Sequence, residues 1–308
     1  MNNDNSERHT TAVTGRLSHR LAYYATLAVV KLVSWIPFWL LYLLSDLLYW
    51  PLYHLVRYRR RIVRKNLTES FPDKGPDEIR RIERRFYRFF IDLVLESCKL
   101  MTITPEQMRQ RMRFVDIDAL NTPLQQGQSV SVFLGHHGNW EWASSSGLWL
   151  TPQGRAAQVY HQLNNPYLDN IMRQMRSRMG NECVVMDRTV HYIVEGQGQD
   201  KPLAIGLIAD QSPRRHASKH FLNFLHHMAP VLTGPEKVTK HFGFQAVYFS
   251  IRRVKRGYYE CHVSQLHDDP KSLADYELTR LYYQRLEQDI LEQPECYLWT
   301  HNRFKYAR

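Results

Sequence analysis

The sequence predicts an α/β domain with a mixed, mostly parallel β-sheet covered by helices, preceded by an apolar N-terminal helical segment. Two observations carry this prediction. From residue 128 onward, short apolar runs typical of buried strands, such as 129–134 and 203–209, alternate with stretches of helical period. Between residues 21 and 56 the chain is apolar on every face of a helix, and Lys31 and Asp46 are its only formal charges.

The composition limits the class of protein. The chain has 308 residues, of which 44% are hydrophobic, and a formal net charge of +11. This content suffices for a large core and excludes disordered and collagen-like chains. A mean hydropathy of −0.48 excludes a polytopic membrane protein. The excess of basic residues predicts an acidic partner: a nucleic acid, an anionic lipid or an acidic protein.

The cysteines and the N-terminus bear on location. Cys98, Cys183, Cys261 and Cys296 are far apart in the sequence and form no C-x-x-C pair. They match neither a disulfide framework nor a zinc knuckle, and they indicate a reducing compartment. Residues 1–20 form a polar tail without the pattern of a cleaved secretory signal.

Residues 21–57 predict a membrane anchor, followed by a folded domain over 58–308. The longest charge-free run, 32–45, has 14 residues, whereas a spanning helix requires about 20. Two arrangements in a membrane therefore remain open: a span with Lys31 at one boundary, or an in-plane hairpin broken near Pro37 and Pro51. A buried helix pair in a soluble core is the alternative to both.

A basic run follows the apolar segment directly. Six of the nine residues from 57 to 65 are cationic. Beside a membrane anchor, such a run predicts contact with anionic lipid on the cytoplasmic side. The alternative is the solvated face of a helix.

The remaining elements follow from apolar period and from turn residues. The predicted helices cover 75–100, 166–180, 235–242 and 273–293, and a further helix begins at Asn139. The predicted strands cover 129–134, 159–160, 183–185, 203–209 and 297–299, with a hairpin formed by 246–252 and 258–265.

The candidate active site is the segment G-H-H-G-N-W-E-W at 135–142. His136 and Glu141 lie five residues apart across a predicted strand-to-helix turn, so we expect the carboxylate to reach the imidazole. A carboxylate on one ring nitrogen fixes the tautomer and leaves the other nitrogen to accept a proton from a hydroxyl. General base catalysis of this kind contributes about 10²- to 10⁴-fold in rate. The pair suits direct attack of an alcohol on a thioester.

Three other interpretations compete. Each histidine could be structural, since the chain has 15 of them. His137 and Glu141, four residues apart, could bind a metal, but no third ligand follows at a recognisable spacing. A serine nucleophile among 144–146 would lack the G-x-S-x-G elbow.

The H-x-x-x-x-E spacing and the local form G-H-H-G-N-W-E-W resemble the bacterial lipid A biosynthesis acyltransferases. These are lauroyl and myristoyl transferases within the wider lysophospholipid acyltransferase superfamily. Further blocks along residues 22–305 resemble the same family in the same order, and together they are specific. They are Tyr58-Arg59-Arg60, Asn66-Leu67, Phe71-Pro72, Tyr160 with Asn165-Pro166 and Leu168, Ala209-Asp210-Gln211, and the C-terminal stretch from Pro294 to Lys305.

The resemblance implies a glycerolipid-acyltransferase-like fold, with the catalytic domain at 58–308, on the cytoplasmic face of the bacterial inner membrane. The implied O-acyltransferase moves a fatty acyl chain from acyl carrier protein, or from acyl-CoA, to a hydroxyl of a lipid A precursor. It uses no covalent intermediate, cofactor or metal. His136 would be the general base and Glu141 its orienting partner. Asp210 would support the site, and Asn139 would contact substrate.

For the basic residues the resemblance implies alternative roles. Arg303 would be structural or would hold a substrate phosphate, since arginine gives bidentate phosphate contacts. Many family members have arginine where His161 stands, and Arg173 or Arg214 could replace it as a substrate-binding residue.

The acceptor and the class of reaction remain open. A lysophospholipid or an aminoacyl lipid could be the acceptor with the same mechanism. A metal-dependent membrane hydrolase using His136, His137 and Glu141, or an inactive lipid-binding scaffold, are the rivals from other classes. Nucleic acid is not an expected partner, because no recognition motif accompanies the basic charge.

Overall fold

The computed structural model describes residues 17–196, 201–215 and 219–308. Most of the predicted polar tail, residues 1–16, lies outside the described residues. The described helices are Leu17–Trp35 (α1), Phe38–Trp50 (α2), Arg60–Ser70 (α3), Pro76–Lys99 (α4), Pro105–Arg111 (α5), Asp118–Gln125 (α6), Pro166–Ser177 (α7), Thr189–Gly196 (α8), Gly234–Phe242 (α9) and Glu277–Glu292 (α10). The described strands are Met112–Val115 (β1), Val130–Leu134 (β2), Arg155–Tyr160 (β3), Asn181–Val185 (β4), Leu203–Ile208 (β5), Phe221–Phe224 (β6), His227–Pro230 (β7), Gln245–Lys255 (β8) and Tyr258–His267 (β9).

Seven strands form one mixed sheet in the order β1-β9-β8-β2-β5-β3-β4. Every neighbouring pair is parallel except β8 and β9, which form the predicted hairpin. The prediction of a mostly parallel α/β sheet is therefore confirmed. The carboxyl ends of β2, β5, β3 and β4 meet at one edge of the sheet. Strands β6 and β7 form a separate antiparallel hairpin.

The central strand β2 shows why its sequence is continuously apolar. Each of its residues is buried, because core packs on both faces of the sheet. On one face Val132 belongs to a cluster with Trp142 and Phe249. On the other face Phe133 packs in a cluster with Tyr282. The two clusters place the sheet between two layers of helices.

Several short elements were not predicted: α5, β1, α6 and the β6–β7 hairpin. Strand β1 has only four residues, and α6 contains Pro123, so neither shows a clear period. The helix predicted from Asn139 is instead a turn followed by a 3₁₀ segment, Trp142–Leu148. Three consecutive serines and Gly147 in this segment have low helix propensity. The last predicted strand is reduced to one bridge, between His137 and Tyr297.

The N-terminal helix pair consists of α1 and α2. The chain breaks at Pro37 as predicted, whereas Pro51 begins a π-helical turn, Pro51–Val56. Within the described residues, no helix taken alone has the length and apolar character needed to cross a membrane. The segments Tyr23–Trp35 and Phe38–Val56 meet that criterion together, but they are bent by 119°.

One face of the helix pair packs on α4. Leu41 is fully buried there, and the Ser45 hydroxyl donates a hydrogen bond of 2.6 Å to Asp92 Oδ1. The helix pair and the turn Pro51–Val56 also carry exposed apolar side chains, which together we call the apolar face. Its residues are Tyr24, Val29, Leu32, Trp35, Trp39, Leu40, Leu43, Leu47, Leu48, Trp50, Leu55 and Val56.

Candidate active site

Sheet register brings His136 and Asp210 together. Strands β2 and β5 are parallel neighbours, and Leu134 is paired with Ile208. Each candidate lies two residues beyond this pair, so the two side chains meet at the sheet edge. His136 Nδ1 lies 2.7 Å from Asp210 Oδ1, and the backbone N–H of His136 donates to Asp210 Oδ2 at 3.2 Å. The carboxylate therefore holds the histidine by both ring and backbone.

Helix α10 fixes the two strand ends. The Tyr282 hydroxyl donates to the Leu134 carbonyl at 3.0 Å, and the Tyr283 hydroxyl donates to the Ala209 carbonyl at 2.8 Å. These carbonyls lie where the strand ladder ends, so the tyrosines supply partners that the sheet does not. The site is thus built on rigid elements.

Gly138 allows the active-site turn, residues 135–142, to pass close to β8. Its φ is +61°, and a Cβ atom at this position would lie 2.5 Å from the Ile251 carbonyl oxygen. Only glycine fits both conditions. Its N–H donates to the Cys296 carbonyl, and the Leu298 N–H donates to the His136 carbonyl, each at 3.0 Å. The C-terminal segment, which contains Cys296 and Leu298, therefore holds the turn that carries His136.

Electrostatics favour a charged form of the His136–Asp210 pair. Burial alone lowers the pKa of His136, but Asp210 and, more weakly, Glu141 together bring the pKa above its usual value. Burial likewise raises the pKa of Asp210, yet His136 and then Arg303 bring it below its usual value. The carboxylate therefore stabilises an imidazolium once the ring accepts a proton.

The other ring nitrogen faces the open edge of the site. With Nδ1–H donating to Asp210, Nε2 of His136 is left as an acceptor. The Gln211 side-chain nitrogen lies 3.3 Å from it. The His136 side chain is 18% exposed, so the ring is not sealed from solvent.

The predicted contact between Glu141 and His136 is wrong. The Glu141 carboxylate instead accepts a fork from Arg176 of α7, with distances of 2.8 Å from Nε and 2.7 Å from Nη2. Asp210 already occupies Nδ1, and the irregular turn directs Glu141 towards α7. A bidentate guanidinium is a strong, geometrically specific partner for a carboxylate.

Glu141 still influences His136 through space. Burial raises the pKa of Glu141, but Arg176 more than offsets this, and the pKa lies below its usual value. The resulting negative charge raises the pKa of His136, although less than Asp210 does. Glu141 thus acts on the histidine as a nearby charge, and Asp210 takes the orienting contact predicted for Glu141.

Asn139 does not offer a group to a substrate. It is fully buried; its Nδ2 donates to Glu96 Oε2 at 2.8 Å, and its Oδ1 accepts from the Trp142 N–H at 3.1 Å. Both ends of the amide are used within the protein. The predicted substrate contact is therefore corrected to a structural role in the turn.

Arg303 is a buried cation beneath the site. Its residue is 1% exposed, which leaves no surface for a substrate phosphate. Nη2 donates to the Tyr283 hydroxyl at 3.2 Å, and the guanidinium packs against the Phe224 and Phe304 rings. Nε and Nη1 have no hydrogen-bond partner in the described parts of the chain. Of the two predicted roles, this placement agrees with the structural one.

The other basic candidates lie outside the core. Arg173 is exposed on α7, one turn before Arg176. Arg214 is exposed and lines a cavity of about 480 Å³ with His161 and Asp187, beyond the carboxyl ends of β3 and β4. The structure places this cavity at the same sheet edge as His136.

The metal and serine alternatives find no support in the geometry. His137 is buried, with its ring nitrogens 3.2 Å and 3.0 Å from the Ile251 and Gln293 carbonyl oxygens. In the described segments, no three His, Cys, Asp or Glu side chains lie close enough together to hold a metal ion. The Ser144 hydroxyl donates to the Glu141 carbonyl at 2.6 Å.

Sequence reasoning missed three residues of the site. Arg176 was hidden as one of several basic residues in a predicted helix. Gln211 stood in the quoted Ala209-Asp210-Gln211 block but received no role. Glu96 follows Phe89 and Leu93 on the apolar stripe of α4, and a carboxylate on such a stripe is a signal for a buried polar contact.

Fold and site together define an α/β domain in which a carboxylate holds a histidine at the edge of a mostly parallel sheet. Residues 13–306 match the family described as bacterial lipid A biosynthesis acyltransferase. The match covers nearly the whole chain, so the protein belongs to this acyltransferase family. A comparison with curated proteins gave no match.

Proposed function

We propose that the protein transfers a fatty acyl chain from an acyl carrier protein thioester, or from acyl-CoA, to a hydroxyl of a lipid A precursor. The observation that carries the proposal is the 2.7 Å contact between His136 and Asp210. It leaves Nε2 of the histidine available at the open edge of the site. An acyltransferase family supplies the reaction type for such a base.

The proposed reaction is a direct transfer. Nε2 of His136 accepts the proton of the acceptor hydroxyl as its oxygen attacks the thioester carbonyl carbon. A C–O bond forms, the C–S bond breaks, and the imidazolium returns the proton to the departing thiolate. Asp210 stabilises the imidazolium, as a carboxylate does in other histidine-based sites. Arg303 keeps Asp210 ionised, and Glu141 adds a second negative charge nearby.

Surface charge supports anionic substrates. Acyl carrier protein is acidic, lipid A precursors carry phosphates, and the protein has a net charge of +11. Arg173 and Arg214, exposed near the site, are proposed to contact acceptor or donor phosphate. The cavity beside Arg214 is proposed to receive part of the acceptor headgroup.

The apolar face is proposed to rest on an anionic lipid membrane, the cytoplasmic face of the bacterial inner membrane. Helix α2 is held to the catalytic domain on its other side by Leu41 and Ser45. Arg57, Arg59 and Arg61, which follow the apolar face, are exposed and suit anionic headgroups. The substrate lipid then reaches the site from the surface on which the protein rests.

Lipid mass spectrometry tests the acceptor and the base together. We compare lipid A and total phospholipids from cells with and without the gene, complemented by wild type or His136→Ala. The proposal predicts that lipid A loses one acyl chain and that only wild type restores it. A change confined to a lysophospholipid or an aminoacyl lipid would retain the chemistry and replace the acceptor. No lipid change in any strain would contradict acyl transfer.

A second assay addresses the donor and the hydrolase alternative. Purified protein is given the lipid A precursor with acyl carrier protein thioester or with acyl-CoA of the same chain length. The proposal predicts ester formation that chelator leaves unchanged. Release of free fatty acid that chelator abolishes and zinc restores would support a metal-dependent hydrolase instead.

A further inference from the structure

Glu96 of α4 is a buried carboxyl shared by three other parts of the fold. The Tyr42 hydroxyl of α2 donates to Oε1 at 2.9 Å. Asn139 of the active-site turn and Tyr259 of β9 each donate to Oε2 at 2.8 Å. Glu96 is fully buried, so these protein groups replace its hydration.

The contact with the active-site turn is made twice. The Asn139 side chain binds the Glu96 carboxylate, and the Trp142 indole N–H donates to the Glu96 backbone carbonyl at 3.0 Å. Asn139 lies between His136 and Glu141 in the sequence, and its Oδ1 caps the Trp142 N–H. The position of Glu96 therefore influences the path of the backbone between His136 and Trp142, and with it the direction of the Glu141 side chain.

We propose that Glu96 is a positioning residue that couples the seating of α2 on the catalytic domain to the geometry of the active-site turn. The inference rests on the proposed function in that the apolar face, part of which lies on α2, contacts the lipid surface. When α2 is seated, Tyr42 supplies the donor for Oε1. When α2 shifts, Oε1 loses its partner inside the protein, and this changes the hydrogen bonds that Oε2 accepts from Asn139 and Tyr259.

The electrostatic environment makes this carboxyl sensitive to the loss of a donor. The pKa of Glu96 is raised to about 7, and burial is the largest cause. The charge of Asp92 raises the pKa as well, whereas the hydrogen bonds from Tyr259 and Tyr42 and the charge of Arg253 lower it. Loss of the Tyr42 hydrogen bond therefore raises the pKa further and favours the protonated form at neutral pH. Protonation removes the negative charge of the carboxyl, so the hydrogen bond that Oε2 accepts from Asn139 is no longer charge-assisted and becomes weaker.

The chain offers a matched control. The Tyr53 hydroxyl donates to Glu83 Oε1 at 2.9 Å, so it also ties the helical segment after Pro51 to α4. Glu83 is buried too, but its other partners are Arg60 and Arg64 of α3, which do not belong to the active-site turn. Tyr53→Phe thus removes a tyrosine–glutamate hydrogen bond of the same length between the N-terminal apolar segment and α4, without touching the turn.

Steady-state kinetics measure the coupling. The full-length protein is assayed on phosphatidylglycerol vesicles that contain the acceptor, with acyl carrier protein thioester as donor. We expect Tyr42→Phe and Glu96→Gln to lower kcat by about tenfold, the effect of losing one hydrogen bond to a charged group. KM for the donor stays within about twofold, because the donor site is untouched. Tyr53→Phe keeps the wild-type kcat.

Conservative replacement separates positioning from folding. Gln at position 96 still presents an oxygen to Asn139, whereas Ala presents none. We therefore expect Glu96→Gln to retain more of kcat than Glu96→Ala does. If Glu96→Ala fails to fold, the comparison of Tyr42→Phe with Tyr53→Phe still decides the question.

Hydrogen–deuterium exchange supplies a readout that does not depend on activity. Peptides covering 135–148 are followed in wild type, Tyr42→Phe and Tyr53→Phe. We expect faster exchange in Tyr42→Phe alone. Equal effects of the two tyrosine variants on exchange and kcat, or no effect of either, would overturn the coupling. An inactive wild type would instead contradict the proposed function, and exchange would still test the coupling.

Discussion

Two carboxylates flank His136, and they reach it from different kinds of structure. Asp210 lies 74 residues away in the sequence, at the end of β5, and binds the ring directly at 2.7 Å. Glu141 is only five residues away, in an irregular turn, and binds Arg176 instead. The nearer residue in sequence is thus the more distant partner in the fold.

The difference shows that sheet register, rather than sequence spacing, selects the partner of the histidine. Parallel pairing of Leu134 with Ile208 fixes the two strand ends relative to one another. The path of the turn after β2 is set instead by backbone hydrogen bonds with the C-terminal segment. The turn therefore directs Glu141 to Arg176 and not to His136. The following predictions test this division of roles.

The largest effect is expected at the histidine itself. His136→Ala should lower acyl transfer by about 10²- to 10⁴-fold, the usual contribution of a general base. His191→Ala, an exposed histidine on α8, is the control and should retain wild-type activity. Initial rates with acyl carrier protein thioester measure both. Near-wild-type rates for His136→Ala would exclude His136 as the base.

The two carboxylates should differ in their effects on rate and pH dependence. Asp210→Asn should lower kcat by about 10²-fold or more and move the acid limb of the pH–rate profile to lower pH. The sign follows because Asp210 raises the pKa of His136, and the base must be neutral to act. Glu141→Gln should give a smaller shift in the same direction. A larger shift for Glu141→Gln would reverse the comparison.

Removing the partner of Glu141 should have a smaller effect. Arg176→Gln leaves a mostly buried carboxylate without its fork, so the pKa of Glu141 should rise. We expect about a tenfold loss of kcat, the effect of one or two lost charge-assisted hydrogen bonds. Arg113→Gln, at an exposed position of the edge strand β1, should leave kcat unchanged. Equal losses for the two variants would show that the fork has no specific role.

The turn itself is tested by stability. Gly138→Ala places a Cβ atom 2.5 Å from the Ile251 carbonyl and forces a positive φ on alanine. We expect a loss of about 2 kcal/mol in the free energy of unfolding, within the range of strained backbone positions. Gly75→Ala, where nothing lies within 4 Å of the new atom, is the control. Denaturant unfolding of both variants would detect the difference, and equal midpoints would contradict it.

The sequence predicted the parts of the molecule that depend on local period. The buried run 129–134, the strand 203–209 and the hairpin after residue 245 all form as expected, because each carries a strong apolar pattern. His136 was selected because it stands five residues before Glu141 in the segment 135–142, and Asp210 because the block Ala209-Asp210-Gln211 resembles the family. The break at Pro37 followed from the chemistry of proline.

The remaining features depend on contacts that no local pattern encodes. Arg176 pairs with Glu141 only because α7 packs beside the active-site turn. The Asn139 side chain is hydrogen-bonded to Glu96, which lies 43 residues away on α4. Arg303 resembled a phosphate ligand in the sequence, but the fold encloses it among aromatic rings. Spacing along the chain contains none of this information.

The most direct test of the central claim is the pKa of His136 in the folded protein. Nitrogen-15 NMR of histidine-labelled protein, with His136→Ala to assign the signal, would follow the ring through pH in wild type, Asp210→Asn and Glu141→Gln. We predict a wild-type pKa above the ordinary value, a large decrease in Asp210→Asn and a small one in Glu141→Gln. A large decrease in Glu141→Gln with none in Asp210→Asn would show that Glu141 is the orienting carboxylate.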